Sequence, residues 1–266
     1  MNATLRIAGE SAELARRNLL YLKRTPSLLV SSLVEPVLLA MLIGYVFGGS
    51  LGGAVYREYL VAGLLSQTVA FTASFTAIGL SRDLQEGMVD RLRTLPISRV
   101  ALLIARTTSD LSGCVASVSV TTVCGLVLGW RPHTGPADVV AGYLLLLLFA
   151  FAMSWIGAFV ALVTPNVQVA ASVGMIWLFP ATFVSSAFVS PATLPGPLSA
   201  IAEWNPLSAL ANALRALYGN TAPRNFPAQH GWASAHPVSY AVACAVLLVA
   251  VFTTLSTWRY RTRTTR

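Results

Sequence analysis

Six apolar stretches, each near the length that crosses a lipid bilayer, leave this chain few choices of fold. They run from about Leu28 to Phe47, Tyr59 to Leu80, Val100 to Trp130, Val139 to Val163, Val167 to Val189 and Val238 to Trp258. At 1.5 Å per residue, roughly 20 helical residues traverse a hydrocarbon core of ~30 Å. The third stretch is long for one crossing, so its first turns extend a polar element or tilt. Only 11% of the 266 residues are charged and 55% are hydrophobic, whereas a soluble domain carries about 25% charge. No polar stretch is long enough for a separate soluble domain. Residues 1–266 are therefore expected to form one all-α, polytopic domain with six transmembrane helices. The first apolar run begins near Leu28, too long for the core of a signal peptide, and it carries Glu35–Pro36, so no cleavable signal is expected.

Charge sets the direction of the spans. Arg6, Arg16, Arg17, Lys23, Arg24, Arg82, Arg91, Arg93, Arg99, Arg259, Arg261, Arg263 and Arg266 fall on one side, and Arg57, Arg131, Arg215 and Arg224 on the other. Positively charged loops stay in the cytoplasm, which puts both termini there. The formal net charge of +8 does not point to nucleic acid. Its basic residues gather at span ends instead of sharing one periodic face.

Three short segments lie outside the spans. Over 1–24, Leu5, Ala8, Ala12, Ala15, Leu19 and Leu22 recur at helical spacing, the pattern of an interfacial helix lying among lipid head groups. Residues 190–236 form an extracellular loop rich in proline, with Asn205–Pro206 as cap and first turn and Gly219 as a stop. Between them Leu207, Leu210, Leu214 and Leu217 make an apolar stripe on a helix too short to span. The third segment, 81–99, is the long charge-dense stretch between two spans. Leu84, Met88, Leu92 and Leu95 line one face of a helix there. Arg82, Asp83, Glu86, Asp90, Arg91 and Arg93 form its polar side, and Pro96 ends it near Thr94. This amphipathic helix, held at the cytoplasmic surface, reads as a docking handle for another protein.

Two acids lie at membrane depth, Glu35 and Asp110. An ionised acid in a span costs about 2.5–3.5 kcal/mol on insertion scales, so such a residue faces protein or water. It either contacts substrate or a proton, or it pairs locally, with Arg106 in the case of Asp110. Gly63, Ser66, Thr68, Thr72, Ser74, Ser112, Gly113, Ser117 and Ser119 favour close helix packing. Cys114, Cys124 and Cys244 lie in apolar runs without paired spacing, which reads as packing, with no metal site or disulfide. His133, His230 and His236 fall in outward loops. Neither a GxxxxGK[ST] phosphate loop, an HExxH pair nor a Gly-x-Ser-x-Gly elbow occurs, so the chain itself carries no nucleotide site or recognisable catalytic motif.

The run Gly79-Leu80-Ser81-Arg82-Asp83, continuing through Gly87-Met88-Val89-Asp90-Arg91-Leu92-Arg93-Thr94-Leu95-Pro96-Ile97-Ser98-Arg99, resembles permease subunits of type-2 ATP-binding-cassette exporters, in their daunorubicin-resistance-like branch. Asn205-Pro206-Leu207 followed by Ala213-Leu214-Arg215-Ala216-Leu217 resembles the same family's signature after the fifth span. The similarity covers nearly the whole chain.

That resemblance implies a cytoplasmic coupling helix at 81–99 set in a groove of a separate ATPase, which would hold ATP and magnesium. It implies a re-entrant extracellular helix around Asn205, Pro206 and Arg215, and pairing with a second copy or a paralogous permease. The expected activity is export of an amphipathic small molecule, such as an antibiotic or a lipid-linked compound, by alternating access across a bacterial cytoplasmic membrane. A glycan exporter is the alternative within the class. A stand-alone carrier or an intramembrane enzyme using Glu35 and Asp110 is the alternative outside it.

Overall fold

The computed structural model describes residues 34, 37–47, 53–86, 99–220, 222–223, 226–227 and 231–263. The interfacial segment 1–24, Glu35, and Asp90, Arg91 and Arg93 of the coupling segment lie outside the described residues. Among the described residues there are helices and turns but no strand.

A short apolar helix, α1 (Val37–Val46), passes into a π-helical stretch at Leu42–Phe47. It is followed by α2 (Gly53–Gln85), α3 (Arg99–Val127), α4 (Pro136–Val163) and α5 (Val167–Phe183). A 3₁₀ turn at Pro191–Thr193 precedes α6 (Gly196–Trp204), α7 (Pro206–Tyr218), the single turn α8 (Trp232–Ala235) and α9 (Pro237–Arg263). Among the described residues, four helices are long and apolar enough to cross a membrane: α2, α3 from Asp110 onward, α4 and α9. Two further apolar helices, α1 and α5, are shorter.

The bundle is built around α2. It packs against α3, α4, α5 and α7, and from Tyr59 to Ser74 every residue is buried. Such enclosure needs small side chains at the crossings. A Cβ on Gly157 of α4 would stand 2.1 Å from the Ala73 carbonyl oxygen, and one on Gly174 of α5 would stand 2.9 Å from Ser74 Oγ. Without side chains there, α4 and α5 lie directly on α2. The outermost helix is α9, which covers α4 and α7 and exposes Val246, Leu247, Val251 and Leu255 on its far face.

Three boundaries differ from the expectation. Ser81–Gln85 are the last turns of α2 and do not begin a separate helix. The fifth apolar run stays helical only to Phe183, short of Val189. Pro180 sits in its last turn, and Asn205 takes up the Ala181 and Val184 carbonyls there. A proline removes a backbone donor and crowds the preceding turn. The loop 190–236 holds α6 and α8 as well as the expected α7. Pro197 stands in the first turn of α6, where an N–H would have no helical partner in any case, and Pro195 is its N-cap. The bounds of α7 match the cap and stop signals: Asn205 Oδ1 accepts from the Leu207 N–H, and Gly219 takes the left-handed conformation at φ 70°.

Candidate functional site

Polar groups gather at the two ends of α2. At the arginine-rich end, Arg106 of α3 reaches across to α2. Its Nη1 donates to Asp83 Oδ2 at 3.0 Å, and its Nε lies 3.2 Å from Asp110 Oδ1, one turn along α3. Thr76 of α2 donates from Oγ1 to Asp110 Oδ2 at 2.7 Å. The guanidinium rests on Gly79, where a Cβ would stand 1.8 Å from Arg106 Nη2. The three charged side chains are only 20%, 19% and 12% exposed, which strengthens the pairs relative to a surface contact.

A polar seam continues between the two helices toward the other side. Thr72 of α2 and Cys114 of α3 are both buried. Further along, the Thr68 and Thr121 hydroxyls lie 3.0 Å apart, each also bonded to a carbonyl of its own helix. On α2 the seam residues Thr68, Thr72, Thr76, Gly79 and Asp83 recur at steps of four and three, one face of a helix.

At the other end of α2 the strap Ser185–Phe188 is clamped between α2 and α7. Arg215 of α7 donates from Nε to the Tyr59 carbonyl (3.2 Å), from Nη2 to the Ala187 carbonyl (3.0 Å) and from Nη1 to Asn212 Oδ1 (2.9 Å) and Ser186 Oγ (3.4 Å). Its Cζ lies 3.4 Å from the centroid of the Tyr59 ring. Tyr59 and Tyr56 donate in turn to the Ser186 and Phe188 carbonyls, and Ser208 Oγ accepts from the Ser186 N–H. Burial draws the Arg215 pKa below the ordinary guanidinium value, against the pull of Tyr59 and Tyr56, and the group stays charged at any physiological pH. Asn205 donates to the carbonyls of Ala181 (2.6 Å) and Val184 (2.7 Å), tying the end of α5 to the start of α7.

Beyond this clamp, Trp130 Nε1 donates to Asn220 Oδ1 at 2.8 Å, Asn220 Nδ2 donates to the Arg131 carbonyl, and the His133 N–H donates to the Tyr218 carbonyl. These bonds tie the α3–α4 turn to the end of α7.

The candidate residues are distributed accordingly. Arg82 and Glu86 are exposed at the end of α2, while Asp83 is turned onto Arg106. Asp110 lies in the Arg106 cluster, and Asn205, Pro206 and Arg215 lie in the clamp at the opposite end. Sequence reasoning passed over Tyr59, Thr76, Ser186, Ser208 and Asn212. A signal was present for two of them. Ser208, Asn212 and Arg215 stand at steps of four and three on a helix whose other face is leucine, and that polar stripe needed a partner.

This is a multi-pass helical membrane protein in which a buried central helix is fastened at both ends. The sequence pattern of the ABC-2 type transporter family matches residues 12–218, and the chain belongs to that family. It is 31% identical over 249 residues to the daunorubicin resistance ABC transporter permease protein DrrB1 of Streptomyces coeruleorubidus, across 93% of this chain and 84% of that one. It is 25% identical over 222 residues to the transport permease ycf38 of Porphyra purpurea, covering 81% and 76% of the two chains. Over 121 residues it is 26% identical to the doxorubicin resistance ABC transporter permease protein DrrB of Mycobacterium tuberculosis H37Rv, 45% of this chain and 42% of the relative. The chain is thus a permease of an ABC transporter, in the daunorubicin-resistance-like branch, and such a permease works with an ATPase.

Proposed function

We propose that this permease exports an amphipathic small molecule, an antibiotic or a lipid-linked compound, by alternating access. The relative DrrB1, similar over almost the whole chain and named for daunorubicin resistance, is the observation that carries the substrate class. ATP and magnesium sit on the separate ATPase, and this chain hydrolyses nothing. Six spans cross the bacterial cytoplasmic membrane with both termini inside, and a second permease, identical or paralogous, completes the pathway. The coupling segment 81–99 seats in the ATPase through Arg82, Glu86, Asp90, Arg91 and Arg93, with Asp83 at its root. The exposed positions of Arg82 and Glu86 at the end of α2 support that placement. The clamp around Asn205, Pro206 and Arg215 lies on the extracellular side.

Affinity purification of this chain from its native membrane, with mass spectrometry of its companions, tests the assembly. The expected result is a stoichiometric ATPase with a GxxxxGK[ST] loop, whose turnover changes when daunorubicin is added. Recovery of the intact permease without any ATPase would overturn the proposal. An ATPase whose turnover ignores amphipathic drugs but responds to lipid-linked glycans would move the cargo to that class.

A further inference from the structure

We propose that Arg106 is the positioning residue that makes α2 and α3 move as one lever, so that a push on segment 81–99 reaches both spans. The inference rests on the reading of that segment as the ATPase seat. The segment begins in the last turn of α2 and ends where α3 starts at Arg99. A push on it therefore either splays the two helices or carries them together. Among the described residues, most of the seam between them is neutral: a threonine pair, the buried Thr72 and Cys114, and Val61 lying against Gly125. Such hydrogen bonds between membrane helices are individually weak. Next to the segment the link changes character. Arg106 binds a carboxylate on α2, Asp83, and one on its own helix, Asp110, which is held from α2 by Thr76. The cluster crosses the seam twice, at the position where splaying would start.

Gly79 is an independent sign of this purpose. The three atoms closest to a Cβ built there all belong to the Arg106 guanidinium. A glycine inside an exposed helix costs about 1 kcal/mol relative to alanine, and here the space it leaves is filled by the guanidinium tip.

The test uses the complete permease–ATPase complex in proteoliposomes, with Cys114→Ser, Cys124→Ala and Cys244→Ala as background. Nitroxide pairs report the far end of α2 (Val55→Cys) and the far part of α3 (Val123→Cys), each against Leu247→Cys on α9; all three positions are exposed. Distances are compared with and without ATP–vanadate. With Arg106 intact, both distances should shift. In Arg106→Gln and in Gly79→Ala, hydrolysis and ATPase recovery should persist and the α2 shift remain, while the α3 shift falls at least twofold. Arg106→Lys should restore part of it. Gly79→Ala keeps every charged group and favours helix, so it reports even if Arg106→Gln does not fold. Equal α2 and α3 shifts in both variants would overturn the role of Arg106 while leaving the docking segment in place. An unmutated complex in which ATP moves neither helix would overturn the docking reading beneath it.

Discussion

At one end of α2 an arginine is held by two carboxylates; at the other, an arginine is held by four uncharged oxygens and an aromatic ring. Arg106 remains about one-fifth exposed, whereas Arg215 is 6% exposed. A carboxylate attracts a cation over several ångströms and from many directions, so the Arg106 cluster tolerates small displacements. Carbonyls and amides act over short distances at set angles, so the Arg215 clamp holds one geometry or fails. The ring of Tyr59 adds a cation–π contact that strengthens when water is excluded. The contrast suits a helix anchored at one end and driven at the other.

The largest effect should follow from emptying the rigid end. Arg215→Ala removes four charge-assisted hydrogen bonds and leaves the Ala187 carbonyl without its donor, and the loss should be about 3 kcal/mol, the upper end for hydrogen bonds to a charged group. The check is the thermal midpoint of the detergent-solubilised permease by fluorescence-detected size exclusion. A variant with the unmutated midpoint would show that the clamp is dispensable. At the adjustable end, Asp83→Asn keeps an acceptor for Arg106, whose charge Asp110 still balances, and should cost about 1 kcal/mol, the usual net worth of a hydrogen bond.

Two glycines sharpen the comparison. In each, an added Cβ would stand 1.8 Å from its nearest neighbour. At Gly63 the neighbours are the backbone atoms of Ala187 in the strap, which cannot swing aside. Overpacking of this kind costs typically about 1–3 kcal/mol, occasionally more, and Gly63→Ala should lower the midpoint accordingly. At Gly79 the neighbours are the tip of a flexible side chain, which can rotate away. Gly79→Ala should leave the midpoint within the error of the assay, because the gain in helix propensity, about 1 kcal/mol, offsets the weakened Arg106–Asp83 pair. Similar losses from both would mean that the two ends are equally rigid.

Asn205 ranks next. Its side chain caps α7 and also binds two carbonyls at the end of α5. Asn205→Ala should cost about 2 kcal/mol, roughly one for the cap and the rest for the carbonyls. Asn205→Ser restores the cap but not the reach to α5, so it should recover only part of that loss. Full recovery by serine would reduce Asn205 to a cap.

These residues also mark how far the sequence could be followed. The bounds of α7 were legible because Asn205–Pro206 and Gly219 act within a few residues of themselves. The long apolar helices were legible because hydropathy is additive along a span. The end of α5 was not, since its last carbonyls are satisfied by Asn205, more than 20 positions away. Asp83 illustrates the same limit. On a separate surface helix it belongs to the polar side, but as part of an unbroken α2 it is rotated onto α3 and meets Arg106, 23 positions later. The pairing of Asp110 with Arg106 was within reach because residues four apart on one helix share a face.

The seam between the two arginines supplies the smallest predicted effect. Each hydroxyl of Thr68 and Thr121 has one proton, and each lies within bonding distance of a carbonyl on its own helix, Leu64 and Ser117. Only one proton at a time can bridge the pair, and it gives up a local bond to do so. Thr68→Val keeps the volume and the β-branch, and Thr121 can still bond to Ser117. The expected loss is about 0.6 kcal/mol, the average for hydrogen bonds between membrane helices. A Thr68→Val, Thr121→Val double variant should cost no more than the sum of the singles, read from the same thermal midpoints. A coupling energy well above 1 kcal/mol would mean that the seam itself, and not the Arg106 cluster, ties α2 to α3. The distinction between an anchored and a driven end would then rest on the wrong contact.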